Sequence, residues 1–117
     1  MTFQAPATTD QLLHEAESIQ LYGKLLEQIN KDFNLANEPV DFHPSTSPSD
    51  LKIQLHEKMY RLLQQHYAEL LNLLYIIDVP EDNLKQLDGA DTVVLAEQIA
   101  YLVLRREWMK VWFRAHY

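Results

Sequence analysis

Cysteine is absent from the chain, and its absence excludes disulfide frameworks, thiolate nucleophiles and thiolate-held metals. Glycine is nearly absent. Gly23 and Gly89 stand alone, so neither a glycine-rich phosphate loop nor a strained turn presenting a serine between glycines can be built. The five prolines fall outside the long apolar patterns, which leaves room for long helices joined by few breaks. Apolar runs of membrane-spanning length are missing too. The longest candidate, Val93–Leu104, has 12 residues and contains Glu97 and Gln98. The opening MTFQAPATTD lacks the basic start and apolar middle of a signal peptide. A cytoplasmic protein with no transmembrane segment is therefore expected. Positive charge is scarce, with 10 Lys and Arg against 17 Asp and Glu, a net −7. No nucleic-acid partner is expected of such a chain.

Catalytic and metal motifs are also missing. His14-Glu15 and His56-Glu57 each begin the zinc-protease pattern, but Ser18 and Tyr60 stand where its second histidine must share the metal. No glutamate is followed three residues later by histidine, so the di-iron bundle motif cannot form. No catalytic residue, metal ligand or cofactor is assigned from the sequence.

What the chain does have is one long uninterrupted stretch, Thr92 to His116, without glycine or proline. It predicts a helix of about 25 residues, roughly 37 Å long. Two seams run along it. Leu95, Ile99, Leu102, Arg106, Met109 and Phe113 form one; Val94, Glu97, Tyr101, Leu104, Trp108, Val111 and Ala115 form the other. At about 100° per residue they lie on nearly opposite sides, so this helix has to be covered from both. Arg106 and Glu97 interrupt one seam each. The plain expectation is that Arg106 stretches its head to solvent and Glu97 meets water or a cation.

The rest of the chain reads as helices around this strut. Thr8 with Gln11 has capping-box spacing ahead of a first helix at about 9–33. Its narrow seam is Leu12, Ala16, Ile19, Gly23, Leu26, Asn30 and Phe33, and Gly23 there suggests close approach of another backbone. Residues 34–47 form the one long connection, with Pro39 and Pro44 barring helix and with Val40 and Phe42 as its anchors. Ser47-Pro48-Ser49-Asp50 starts a second helix that should run to Ile77, with Leu55, Met59, Leu62, Leu63, Tyr67, Leu70, Leu74 and Ile77 on its apolar arc. A short third helix is expected over Pro80–Leu87, and a turn at Asp88-Gly89. The expected fold is all-α: one domain over residues 1–117, an elongated antiparallel helical bundle of three long helices and one short one, with an N-terminal tail at 1–8.

Within that frame His66 is the titratable group set into an apolar arc, and His56 and Tyr60 lie one turn apart at its margin. Burial would keep His66 neutral, either as a packed core residue or as a base in a pocket with the other two. The second seam of the last helix is the other candidate. Tyr101, Leu104, Trp108 and Val111, flanked by Trp112, bring the aromatic content typical of interfaces. A homodimer built on those five residues is expected. The alternative is that the long loop and the short helix cover the seam within one chain.

YLVLRREWMKVWFR, residues 101–114, resembles the C-terminal stretch of a family of small, uncharacterised all-helical bacterial proteins: an aliphatic run (Leu102–Leu104), a basic-basic-acidic triplet (Arg105-Arg106-Glu107) and an aromatic-rich end (Trp108–Phe113). IIDVPEDNL, residues 76–84, is similar to their short break and restart. The resemblance implies a helical bundle and no activity. The sequence thus points to a non-catalytic interaction or structural module that self-associates or holds a protein partner. Its competitor is a small-molecule-binding or enzymatic bundle with a pocket at His56, Tyr60 and His66. Peripheral binding of an anionic surface by the basic aromatic C-terminus is a third reading, opposed by the net charge.

Overall fold

Three helix starts follow the local chemistry closely. Thr8 accepts a hydrogen bond from the Gln11 amide, Ser47 from that of Asp50, and Asp91 from those of Val93 and Val94, each satisfying donors that a helix leaves open at its first turn. The computed structural model describes residues 2–87, 89 and 91–117, so the turn expected at Asp88-Gly89 lies in part outside the described residues. Six helices are present among them: α1 (Thr9–Ser18), α2 (Tyr22–Leu35), α3 (Pro48–Gln65), α4 (Tyr67–Ile77), α5 (Glu81–Lys85) and α6 (Thr92–His116). The all-helical expectation stands, but the count of three long helices and one short one does not.

Two expected rods are each broken in two. The first breaks at Gln20, which takes a left-handed conformation (φ 63°). The Leu21 amide bonds the Ala16 carbonyl at 2.8 Å and the Gln20 amide bonds that of Glu17 at 3.1 Å, the Schellman pattern that ends a helix. Gly23, offered as a point of close approach, is exposed, and nothing lies within 4 Å of where its Cβ would be. The second rod breaks at His66, whose ψ of 59° turns the chain between α3 and α4. These breaks make a globule of 35 × 28 × 23 Å rather than an elongated body.

α6 is the strut. It packs against α1, α2, α3 and α4, with the largest contact to α3. Its buried side chains surround its axis: Ile99 and Leu102, Ala96, Ala100 and Val103, then Leu104, Trp108 and Val111. Burying each leucine or isoleucine stabilises the fold by roughly 1.5–3 kcal/mol, and α6 adds Ile99, Leu102 and Leu104 to a core that the other helices share. Residues 2–8 cross it as a strap. Phe3 meets Trp112 edge-on at 5.4 Å between centroids, and the Tyr101 hydroxyl donates to the Pro6 carbonyl.

The long connection, residues 36–47, is pinned at three points. Phe42 is buried and Val40 half-buried, as expected of the anchors. Asn30 on α2 accepts from the Phe42 amide at 2.9 Å and donates to its carbonyl at 3.0 Å, replacing the backbone partners a loop lacks. Tyr22 donates to the Thr46 carbonyl at 2.7 Å. Burial, with the charges of Glu17 and Asp50, pushes the Tyr22 hydroxyl up to about 12, so it stays a donor at any physiological pH.

Candidate interaction surface

The middle of the second seam of α6 lies inside the single chain, while Val94, Glu97 and Ala115 at its two ends are exposed. Leu104, Trp108 and Val111 are buried, Trp112 is nearly so, and Tyr101 is half-buried under the N-terminal strap. Cover comes from α1, whose Glu15 meets Trp108, and from the N-terminal strap, whose Phe3 and Pro6 meet Trp112 and Tyr101, whereas the sequence offered the loop and the short helix for that task. The Trp108 indole donates to Glu15 of α1 at 2.8 Å, so its polar edge is satisfied internally as well. Of these five residues, Tyr101 alone borders an open groove.

The residues of the expected pocket are not brought together. His66 is exposed, contrary to the burial expected from its place in the arc, because the break at this residue swings it off the line from Leu62 to Leu70. Tyr60 is half-buried against the core. His56 alone lines a cavity, about 180 Å³, with Thr9, Lys52, Ile53, Glu97, Ala100 and Leu104. Its Nε2 lies 3.1 Å from the Val93 carbonyl, which can only accept, so that nitrogen carries the proton.

Larger grooves flank this cavity. One of about 660 Å³ runs past Thr9, Asp10, Lys52, Glu97, Gln98 and Tyr101, and another of about 480 Å³ past His14, Glu17 and Ser49. Both are open and mixed in polarity. Lys52 is held by Asp10 at 2.9 Å, and His14, Glu17 and Ser49 share no hydrogen bond among the described residues. A nucleophile needs a base within bonding reach, and the grooves do not pair one with the other. Among the described residues no cluster of three His, Asp or Glu side chains could hold a metal ion.

The strongest electrostatic feature is buried between α2 and α6. Lys110 lies 2.6 Å from an Asp32 oxygen and 3.3 Å from one of Glu107, and Gln28 donates to Asp32 at 3.0 Å. Burial pushes the Asp32 carboxyl up, but its hydrogen bonds with Glu107, Lys110 and Gln28 outweigh this and hold it below the usual range. Glu107 goes the other way. Burial first, then the Asp32 carboxylate, pushes it up to about 9, and Lys110 offsets only part of that. Glu107 is fully buried, with Asp32 and Lys110 as its polar neighbours. One proton and one ammonium thus serve two carboxyls. Sequence reading placed Glu107 only in a basic-basic-acidic triplet. The missed signal was Val103, four residues before it, and Val111, four after it, which put Glu107 on an apolar line. Arg106, by contrast, reaches out as expected, to Asp78 at 2.9 Å, and Glu97 is exposed.

An apolar face does remain open, on α4. YAELLNLLYII is the most apolar of the five longer helices and carries one charge, Glu69, in 11 residues. Leu70, Leu73, Leu74 and Ile77 are buried against the neighbouring helices. Tyr67, Leu71 and Tyr75, at steps of four, form a second stripe that is 57%, 45% and 81% exposed. Tyr67 had been placed on the buried arc, and the turn at His66 is what moves it outward. Beside Tyr75 a cleft of about 440 Å³ opens between the end of α4 and α5, lined by Leu71, Leu74, Val79 and Leu84 and by the acids Asp78 and Glu81. A surface helix normally spends its outer face on charge; α4 does not. Comparison with protein-family models, with curated proteins and with solved structures finds no match to this chain.

Proposed function

We propose that this chain is a non-catalytic interaction module: an antiparallel helical bundle, working in the cytoplasm, that offers the outer stripe of α4 to a protein partner. The observation that carries this reading is the row Tyr67, Leu71 and Tyr75, left exposed on the most apolar helix and continuous with a cleft walled by Leu74, Val79 and Leu84 and rimmed by Asp78 and Glu81. Tyrosines supply large contact area with few rotatable bonds, which suits a docking face. The burial of Glu107 and the lack of a paired nucleophile in the grooves favour binding over chemistry. No helix is long and apolar enough to cross a membrane among the described residues.

The test is a photo-crosslinking amino acid placed at Leu71 in living cells, with the same group at the exposed Glu57 of α3 as control. A protein adduct is expected from position 71, absent from position 57 and lost when Tyr75→Glu is added. Equal labelling from the two positions would remove α4 as a docking face.

A further inference from the structure

A cavity of about 400 Å³ lies where the N-terminal strap, the break after α4 and the middle of α6 meet, a volume at the lower end of small-molecule sites. Its chemistry is divided. Phe3 of the strap, Val79 and Pro80 of the break, and Leu102 and Met109 of α6 make an apolar wall. Arg105 and Arg106 line the α6 side, with Asp78 as the one acid on the lining and Asn83 as a neutral polar group.

Both guanidiniums are under-used. Arg105 lies 5.6 Å over the Tyr101 ring and makes no ion pair among the described residues. Arg106 donates through one Nη to a single oxygen of Asp78 at 2.9 Å. Its other Nη faces the Met109 sulfur at 3.1 Å, a weak acceptor, and its Nε is buried without a partner among the described residues. A guanidinium carries five donors in a fork that matches a carboxylate, so this one holds less than its chemistry allows. Two guanidiniums against one carboxylate leave a single positive charge on the cavity, which a monoanion balances and a dianion oversteps. The chain as a whole carries −7 and repels anions, so a site for one has to be built from local charge.

We propose that this cavity binds a small amphipathic carboxylate, its head on the guanidiniums of Arg105 and Arg106 and its apolar body against Phe3, Val79, Leu102 and Met109. The head takes the place of the Met109 sulfur on Arg106 and competes with the exposed Asp78, while the body lies under the strap. The site does not rest on α4 being a docking face; the two share only the segment Asp78-Val79-Pro80.

Magnetic-resonance titration of the isotope-labelled chain with octanoate tests it, with octanamide as the neutral counterpart and inorganic phosphate as an anion without an apolar body. Octanoate should move the amides of Ala5, Val79, Asn83 and Arg105 with a dissociation constant of roughly 0.1–1 mM. Octanamide and phosphate should each bind at least about ten-fold more weakly. Arg105→Gln should weaken octanoate at least about ten-fold and leave octanamide as in wild type. Asp78→Asn should tighten octanoate several-fold, because it removes the competing carboxylate. That position is exposed and asparagine tolerates its left-handed conformation, so this variant decides the matter even if the spectrum shows Arg105→Gln misfolded. No shift of these amides up to about 10 mM octanoate overturns the proposal. So does octanamide or phosphate binding as tightly as octanoate, an affinity unchanged in a folded Arg105→Gln, or one unchanged or weakened in Asp78→Asn.

Discussion

Glu107 is a carboxyl that the fold keeps protonated, and this gives the protein a stability profile with a definite slope. Its folded value of about 9 lies far above its ordinary 4.5, so the folded chain holds a proton that the unfolded chain releases between those limits. The stability this group contributes is complete below about pH 4.5 and is lost as pH rises through about 9. Asp32 has the opposite sign: held below its ordinary 3.8, it contributes stability above that value and loses it as pH falls through its folded value. Stability should therefore peak on the acid side of neutrality. Glu107→Gln imitates the protonated acid without the proton, so it should flatten the decline between pH 5 and 9 and stabilise by about 1–3 kcal/mol at pH 8. Urea unfolding of both proteins across that pH range checks this; parallel slopes would contradict it. The same residue shows what a sequence withholds. A glutamate between Arg106 and Trp108 reads as surface charge, and only the meeting of α2 with α6 supplies the Asp32 and Lys110 that make it otherwise.

At the scale of the helices, the starts with side-chain caps and the ends at Ile77 and His116 were legible, whereas the breaks at Gln20 and His66, and with them the starts of α2 and α4, were not. Thr8, Ser47 and Asp91 carry hydroxyl or carboxylate oxygens that bond the following amides, so residue type alone marks them. The ends fall at Gln20, Asn37 and Asp78, all in left-handed conformations, and neither glycine occupies such a position. Asn and Asp tolerate that conformation through their short polar side chains, but Gln has no such excuse. This is why the 9–33 rod was read straight through its break. Gln20 should consequently be the weakest cap of the three. Gln20→Gly should stabilise by about 0.5–1 kcal/mol, the relief of the left-handed conformation less the added freedom of the unfolded chain. The same change at Asn37 should gain less. Denaturant midpoints of the two variants decide it: an equal gain, or a loss at Gln20, would show that the break is held by packing instead. His66 is the harder case. Its neighbours Leu62 and Leu70 fit an unbroken helix, and nothing in residue type announces the turn that exposes it along with Tyr67.

The whole molecule is closed by contacts between its two ends. Phe3 and Pro6 lie on Trp112 and Tyr101, and Glu15 holds the indole of Trp108, so chain separations of more than 90 residues are bridged at three places along α6. This closure covers the middle of both seams of α6 within the chain. The count of apolar faces was right, but residues 1–8 had been treated as a tail, although Phe3 supplies an aromatic cover for the end of the helix. Trp112 is 9% exposed with that cover in place, while Trp108 is wholly buried by α1 and the core. Removing the ring should thus affect one tryptophan and spare the other. Phe3→Ala is expected to cost about 1–2 kcal/mol, from lost apolar area and the edge-to-face contact, with helix content unchanged. Its fluorescence should split into two populations, a blue component from Trp108 that iodide does not quench and a red-shifted component from Trp112 that it does. Adding Trp112→Phe should abolish the quenchable component. If iodide quenched the Phe3→Ala variant no better than wild type, the strap would not be what shields this end of α6.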